Sequence, residues 1–137
     1  MTSTGQPRRV SYLDSSAIVK LAVAEPESSA LRTYLKRRPV CVSSALACTE
    51  VLRALLALGP DATRRGQQVL QAISLIRISD RVLRVAGALA PAELRSLDAI
   101  HLATAQLVGP SLTRMITYDE RLGAAATAAG YTVVAPA

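Results

Sequence analysis

Short apolar runs alternate along this chain with longer stretches in which apolar residues return every third or fourth position. Residues 10–13, 40–43, 75–78, 114–117 and 132–134 are too short for helices, carry Val, Ile and Leu, and read as strands. Residues 16–24, 27–37, 45–58, 62–73, 81–90, 97–108 and 120–129 read as helices. Strands alternating with helices predict an α/β fold, with a parallel sheet covered on both faces. The turn-forming residues agree. Pro26 is expected to open the second helix and Asp61 to cap the fourth. Gly59-Pro60 should stop the third helix and Gly109-Pro110 the sixth, and Gly130 stands where a C-cap glycine belongs.

The chain has 137 residues, the size of one domain, expected over residues 10–137 behind a loose polar tail at residues 1–9. Half of it is apolar, with no Trp and no Phe, so the core must be built from Leu, Val, Ile and Ala. No apolar run approaches the roughly 18 residues that span a bilayer, and the start has no apolar signal core. A cytoplasmic protein with no membrane partner is expected. Cys41 and Cys48 are not in a C-x-x-C arrangement and are expected to be buried free thiols.

Charge changes the picture once the acids are separated out. The net charge is +6, from sixteen basic residues and ten acids. Fourteen of the basic residues are Arg, as suits a partner rich in phosphate, although a GC-rich genome would favour Arg and Ala as well. The only aromatics are Tyr12, Tyr34, Tyr118 and Tyr131, too few to stack a run of bases. A nucleic acid would have to be gripped by its backbone and read by its shape.

Four acids stand apart from this basic body. Asp14 and Asp119 directly follow strand-like runs, and either could be an N-cap as well as a ligand. Glu50 lies among Leu46, Ala47 and Ala54 on a small apolar helix face, where its ordinary partner would be Arg53. Asp98 falls in the first turn of an almost wholly apolar helix, behind the expected cap Ser96, where the helix dipole favours the ionised form. His101 is one turn further on the same face, the place of a supporting residue. In an open α/β sheet, ligands bind at the carboxyl ends of the strands. Acids collected there repel one another unless a cation holds them, and hard oxygen donors point to Mg²⁺ or Mn²⁺. Such an ion activates a water for phosphodiester hydrolysis without a nucleophilic Ser or Cys.

Four segments carry a resemblance: Tyr12-Leu13-Asp14-Ser15-Ser16-Ala17-Ile18-Val19-Lys20, Ser43-Ser44 with Glu50-Val51 and Arg53-Ala54-Leu55, Leu97-Asp98-Ala99-Ile100-His101-Leu102-Ala103-Thr104-Ala105, and Ile116-Thr117-Tyr118-Asp119-Glu120-Arg121-Leu122. With them the chain resembles the PIN-domain nucleases, most closely the VapC-like toxins of bacterial VapBC toxin–antitoxin pairs. The resemblance implies a three-layer α/β/α fold with a parallel five-stranded sheet in order 3-2-1-4-5. It implies Mg²⁺- or Mn²⁺-dependent ribonuclease activity, with Asp14, Glu50, Asp98 and Asp119 as the acidic quartet and Ser15 and Thr117 as hydroxyl supports. It also implies an RNA substrate, a VapB-like antitoxin and a homodimer. The rival reading is a non-catalytic PIN-like RNA-binding or scaffold protein, which loss of an acid would signal; all four are present. A phosphoacceptor receiver domain would want a late Lys, and the only lysines are Lys20 and Lys36.

Overall fold

A computed structural model describes residues 9–137. The expected tail at residues 1–9 therefore lies outside the described residues except for Arg9. Five strands, β1 (Val10–Leu13), β2 (Cys41–Ser44), β3 (Ser74–Ile76), β4 (Leu112–Ile116) and β5 (Thr132–Val134), form one sheet in order β3-β2-β1-β4-β5. Every neighbouring pair is parallel. Seven helices connect them among the described residues: α1 (Ser15–Ala22), α2 (Ser28–Lys36), α3 (Leu46–Leu55), α4 (Pro60–Gln71), α5 (Asp80–Gly87), α6 (Ser96–Val108) and α7 (Glu120–Ala128).

Strand alternation divides the core in two. Successive side chains point to opposite faces of a sheet. Leu13 and Ile116 accordingly pack with Ile18, Leu31, Val51, Leu55 and Leu70 from α1 to α4. Their neighbours Tyr12 and Met115 pack on the other face with Leu102 and Ala105 of α6 and Leu122 of α7. The result is three layers, helices over sheet over helices, with β1 in the centre. In α6 the run His101-Leu102-Ala103-Thr104-Ala105 is buried without a break, as its lack of a polar face requires.

Several local expectations are corrected. The third helical segment ends as α-helix at Leu55 and continues through Leu56–Leu58 as a single 3₁₀ turn. Asp61 does not cap α4. Pro60 occupies the first helical turn, Gly59 is the N-cap, and Asp61 instead pairs with Arg64 at 3.1 Å. Ser96 lies inside α6, whose N-cap is Arg95 and has no side-chain cap bond. α2 begins after Pro26, at Ser28, whose hydroxyl accepts from the Glu25 N–H and donates to the Val23 carbonyl. Gly59, Gly109 and Gly130 all adopt the left-handed backbone that favours glycine at helix ends. Gly66 serves close approach: a Cβ there would collide with Leu55 of α3. Cys41 and Cys48 are free thiols but only half-buried, and burial still pushes the Cys41 thiol up to about 11.

Candidate active site

The centre of the site is the end of β1. Asp14 is 4% exposed and caps α1, its Oδ1 accepting the Ala17 N–H at 3.1 Å. The Ser16 hydroxyl donates to the same oxygen at 2.6 Å, and the Thr117 hydroxyl donates to Oδ2 at 2.6 Å. An ionised carboxylate can accept about four hydrogen bonds, so Oδ2 keeps a free acceptor direction. Thr117 follows β4, and its hydroxyl also accepts the Asp119 N–H at 3.0 Å. Ser16 in turn accepts the Tyr118 N–H at 2.9 Å. Two hydroxyls thus bind the β1–α1 turn to the β4–α7 turn, the arrangement that parallel neighbours β1 and β4 make available.

Asp119 caps α7 through Oδ1, which accepts the Arg121 and Leu122 N–H groups at 2.9 and 3.2 Å. It is exposed. Asp98 is half-buried in the first turn of α6. Burial pushes its carboxyl above the ordinary range, the Asp119 and Asp14 carboxylates push it further, and His101 and Arg95 oppose the shift. Asp14 is also raised, because burial outweighs the hydrogen bonds from Ser16, Thr117 and the Ala17 N–H and the influence of His101. The causes have a structural meaning: Asp98 lies near enough to Asp119 and Asp14 for both to disfavour its charge.

Glu50 does not pair with Arg53. Its Oε1 lies 2.6 Å from His101 Nε2, with the Glu50 side chain 21% exposed and that of His101 2% exposed. The other ring nitrogen, Nδ1, lies 2.6 Å from the Tyr12 hydroxyl. The two rings stand edge to face, with centroids 5.7 Å apart.

Among the described residues, no three His, Cys, Asp or Glu side chains converge closely enough to cage an ion. The donor set still suits Mg²⁺, which binds through one or two carboxylates, keeps several waters and takes further oxygens from substrate phosphate. All the donors are hard oxygens, Asp14 retains acceptor capacity, and the mutual repulsion at Asp98 is what a cation would relieve.

A family model described as PIN domain matches residues 11–128. Ribonuclease VapC46 of Mycobacterium tuberculosis is 58% identical over 91% of this chain and 96% of its own length. The chain belongs to the PIN-domain family, among the VapC proteins. A second relative, Ribonuclease VapC35 of the same organism, is 43% identical over 91% of this chain and 96% of its own length. The fold is also that of Mycobacterium tuberculosis VapC20, a Sarcin-Ricin loop cleaving toxin, with a TM-score of 0.73, 17% identity and coverage of 92% of this chain and 99% of that one. A toxin–antitoxin complex from Klebsiella pneumoniae matches with a TM-score of 0.68, 24% identity and coverage of 93% and 98%.

Within this PIN domain, Thr117 holds Asp14 as a hydroxyl support would, whereas the β1–α1 hydroxyl that reaches Asp14 is that of Ser16 and not Ser15. The reason is the cap geometry. The N-cap carboxylate turns back over the second and third helical residues, which are Ser16 and Ala17, while Ser15 is the first. Tyr12 is the other residue that sequence reasoning left out. Its apolar neighbours marked it as strand core, and nothing local connects it to a histidine 89 positions away.

Proposed function

We propose that this PIN domain is a Mg²⁺-dependent ribonuclease, the toxin of a type II toxin–antitoxin pair, with Asp14, Glu50, Asp98 and Asp119 as its acidic site and Mn²⁺ as an alternative ion. The observation that carries the reading is the Thr117 hydroxyl, which bonds both the buried Asp14 carboxylate and the Asp119 N–H and so brings two of the acids together at the carboxyl edge of the sheet. That edge is where an open parallel sheet binds its ligands.

A bound divalent ion would lower the pKa of a coordinated water and offset charge on the leaving oxygen of an RNA phosphodiester. The chain's own residues supply the rest. Asp14, oriented by Ser16, Thr117 and the Ala17 N–H, offers its remaining acceptor direction to the ion or its waters. Asp98 and Asp119 bring the further negative charge that makes the pocket prefer a cation. Glu50, held by His101, is the acceptor available to a water on its side of the pocket. Thr117 keeps Asp14 and Asp119 in register by bonding both. Arg95, already beside Asp98, is placed to meet an incoming phosphate.

A VapB-like antitoxin is the proposed partner. Leu56 and Leu58 are 62% and 61% exposed on the 3₁₀ turn between α3 and α4, beside a groove lined by Gly59, Pro60, Thr63 and Arg64. An amphipathic antitoxin helix fits that chemistry, with an Arg reaching the acids in place of the metal. A homodimer is the proposed resting form, using the exposed Leu83 and Leu97 of α5 and α6. Among the described residues no helix is long and apolar enough to cross a membrane, and we place the protein in the cytoplasm.

The test is cleavage of defined RNAs by the purified chain with Mg²⁺, with Mn²⁺ and with chelator, alongside Asp14→Asn. Cleavage that survives chelation, or that is equal in Asp14→Asn, rejects the reading. Co-expression with a candidate VapB-like antitoxin tests the partner separately, by co-purification and silencing of cleavage.

A further inference from the structure

Three of the four acids sit at helix starts, and the fourth does not. Asp14 and Asp119 are N-caps fixed by backbone N–H groups, and Asp98 lies in a first turn. Glu50 stands in the middle of α3 on a longer side chain with more rotatable bonds. Its only hydrogen bond among the described residues comes from His101, 51 positions away on α6 in the opposite helical layer. That imidazole is fixed in turn by Tyr12, on the central strand two residues before Asp14.

The direction of the protons follows from the partners. A tyrosine phenol is an O–H group at neutral pH, and an ionised carboxylate such as that of Glu50 can only accept. With Nε2 donating to that carboxylate, Nδ1 is the acceptor and Tyr12 gives it the phenol proton at 2.6 Å. A neutral imidazole that accepts at Nδ1 carries its proton on Nε2, and Nε2 donates to Glu50 Oε1 at 2.6 Å.

We propose that His101, anchored by Tyr12, is a positioning residue that holds Glu50 Oε1 and presents Oε2 to the metal-binding pocket. The inference rests on the acidic site described above and adds two residues to it. Partners of this kind behind a ligating or water-orienting carboxylate typically affect metal affinity or activity by about 10–100-fold. The competing account, a histidine merely satisfied within the core, predicts a change in stability and no selective effect on the ion.

Two substitutions of His101 separate these accounts, because each keeps one half of the ring's hydrogen bonding. His101→Gln places an amide nitrogen near the position of Nε2 and can still donate to Glu50. His101→Asn places its amide near Nδ1, keeps a partner for Tyr12 and does not reach Glu50. Mn²⁺ affinity is measured on the full chain by electron paramagnetic resonance or calorimetry, together with the melting temperature of the metal-free protein. His101→Asn should weaken Mn²⁺ binding by about 10-fold or more and lower kcat with little change in KM for RNA, while His101→Gln should recover most of both. Tyr12→Phe, which removes one hydroxyl, should weaken Mn²⁺ by a smaller factor in the same direction. In a Glu50→Gln background, His101→Asn should cost no further affinity.

Equal Mn²⁺ affinity in wild type, His101→Asn and Tyr12→Phe overturns the proposal, as does an undiminished loss in the Glu50→Gln background. If His101→Asn does not fold, Tyr12→Phe and His101→Gln still decide it. A wild-type chain that binds no Mn²⁺, or that binds it equally as Asp14→Asn, overturns the acidic-site reading and this proposal together. Normal wild-type binding with unmoved variants overturns the His101 role alone.

Discussion

At the carboxyl edge of the sheet, Asp14 is buried and takes three hydrogen bonds, Asp119 takes two, and Glu50 is tied to His101. At the amino edge, Arg9, Arg37 and Arg38 line a shallow pocket with Pro39 and Val40, and among the described residues none of the three makes an ion pair. Arg38 lies 4.3 Å over the ring of Tyr34, and Arg114 donates to the Tyr34 hydroxyl at 2.7 Å. The two edges are separated only by the length of a four-residue strand, about 13 Å at the usual rise. The net charge of +6 averages over this separation and describes neither edge. Like charges are costly to gather only where they are desolvated. The acids therefore need fixed hydroxyl and imidazole partners, while the guanidinium groups stay hydrated and need only an aromatic face.

The largest effect should come from the most confined charge. Asp14→Asn keeps the size of the side chain but removes the charge on which cation binding depends. Cleavage should fall to the level seen with chelator, while the metal-free protein melts no lower than wild type, since burial disfavours an ionised Asp14 there. Retained cleavage in a carefully purified sample would show that the carboxyl edge is not where the chemistry occurs.

Next is the hydroxyl link. Thr117→Val is close to isosteric, but it takes a hydrogen bond from the Asp14 carboxylate and leaves the Asp119 N–H without its acceptor. Hydrogen bonds to charged groups are worth about 1.5–3 kcal/mol, so denaturant unfolding at neutral pH should show a loss of that order. No measurable loss would mean that the two turns are held by backbone packing and that the hydroxyls are incidental.

Which parts of this were legible beforehand follows from the range of each interaction. Strand and helix positions are local. The alternation of Tyr12 and Leu13 between two faces, and the unbroken burial of α6, are written in spacings of two and four residues. The four acids were legible because each adjoins a strand end or sits on an apolar helix. Ser16, Tyr12 and the Glu50–His101 pair were not, since a cap's exact turn and a contact across 51 positions depend on how elements pack. Local reasoning also supplied Asp61 and Ser96 as caps, and each helix in fact starts one or two residues earlier, with Gly59 and Arg95 as the N-caps.

The pH dependence of stability should separate the edges further. Asp14 and Asp98 both have folded carboxyls raised above the ordinary 3.8. In the interval between the ordinary and the raised values, the folded protein holds more protons than the unfolded chain. Stability of the metal-free protein should therefore be greater on the acid side of that interval and fall as pH rises through it. Mg²⁺ should restore the loss at neutral pH, and its affinity should weaken on acidification as protons compete for the same oxygens. Asp14→Asn should flatten the decline. An identical slope in wild type and variant would remove Asp14 as its source.

The smallest effect is expected at the amino edge. Arg37→Gln with Arg38→Gln removes two charges that lie a strand's length from the acids and touch none of them. Chemistry should be untouched, so kcat on a short RNA spanning only the acidic pocket stays the same. If the amino edge meets the phosphates of a longer RNA, each lost contact should lower the slope of log affinity against log salt by about 0.7–0.9. Two lost contacts then give a slope lower by up to about 2, with KM on the long substrate raised and most sensitive to salt. Titrations at several salt concentrations measure this directly. An unchanged slope would break the comparison in an informative way: the carboxyl edge would be a built site, and the arginines opposite would reflect composition, the Arg excess that a GC-rich genome produces without any partner.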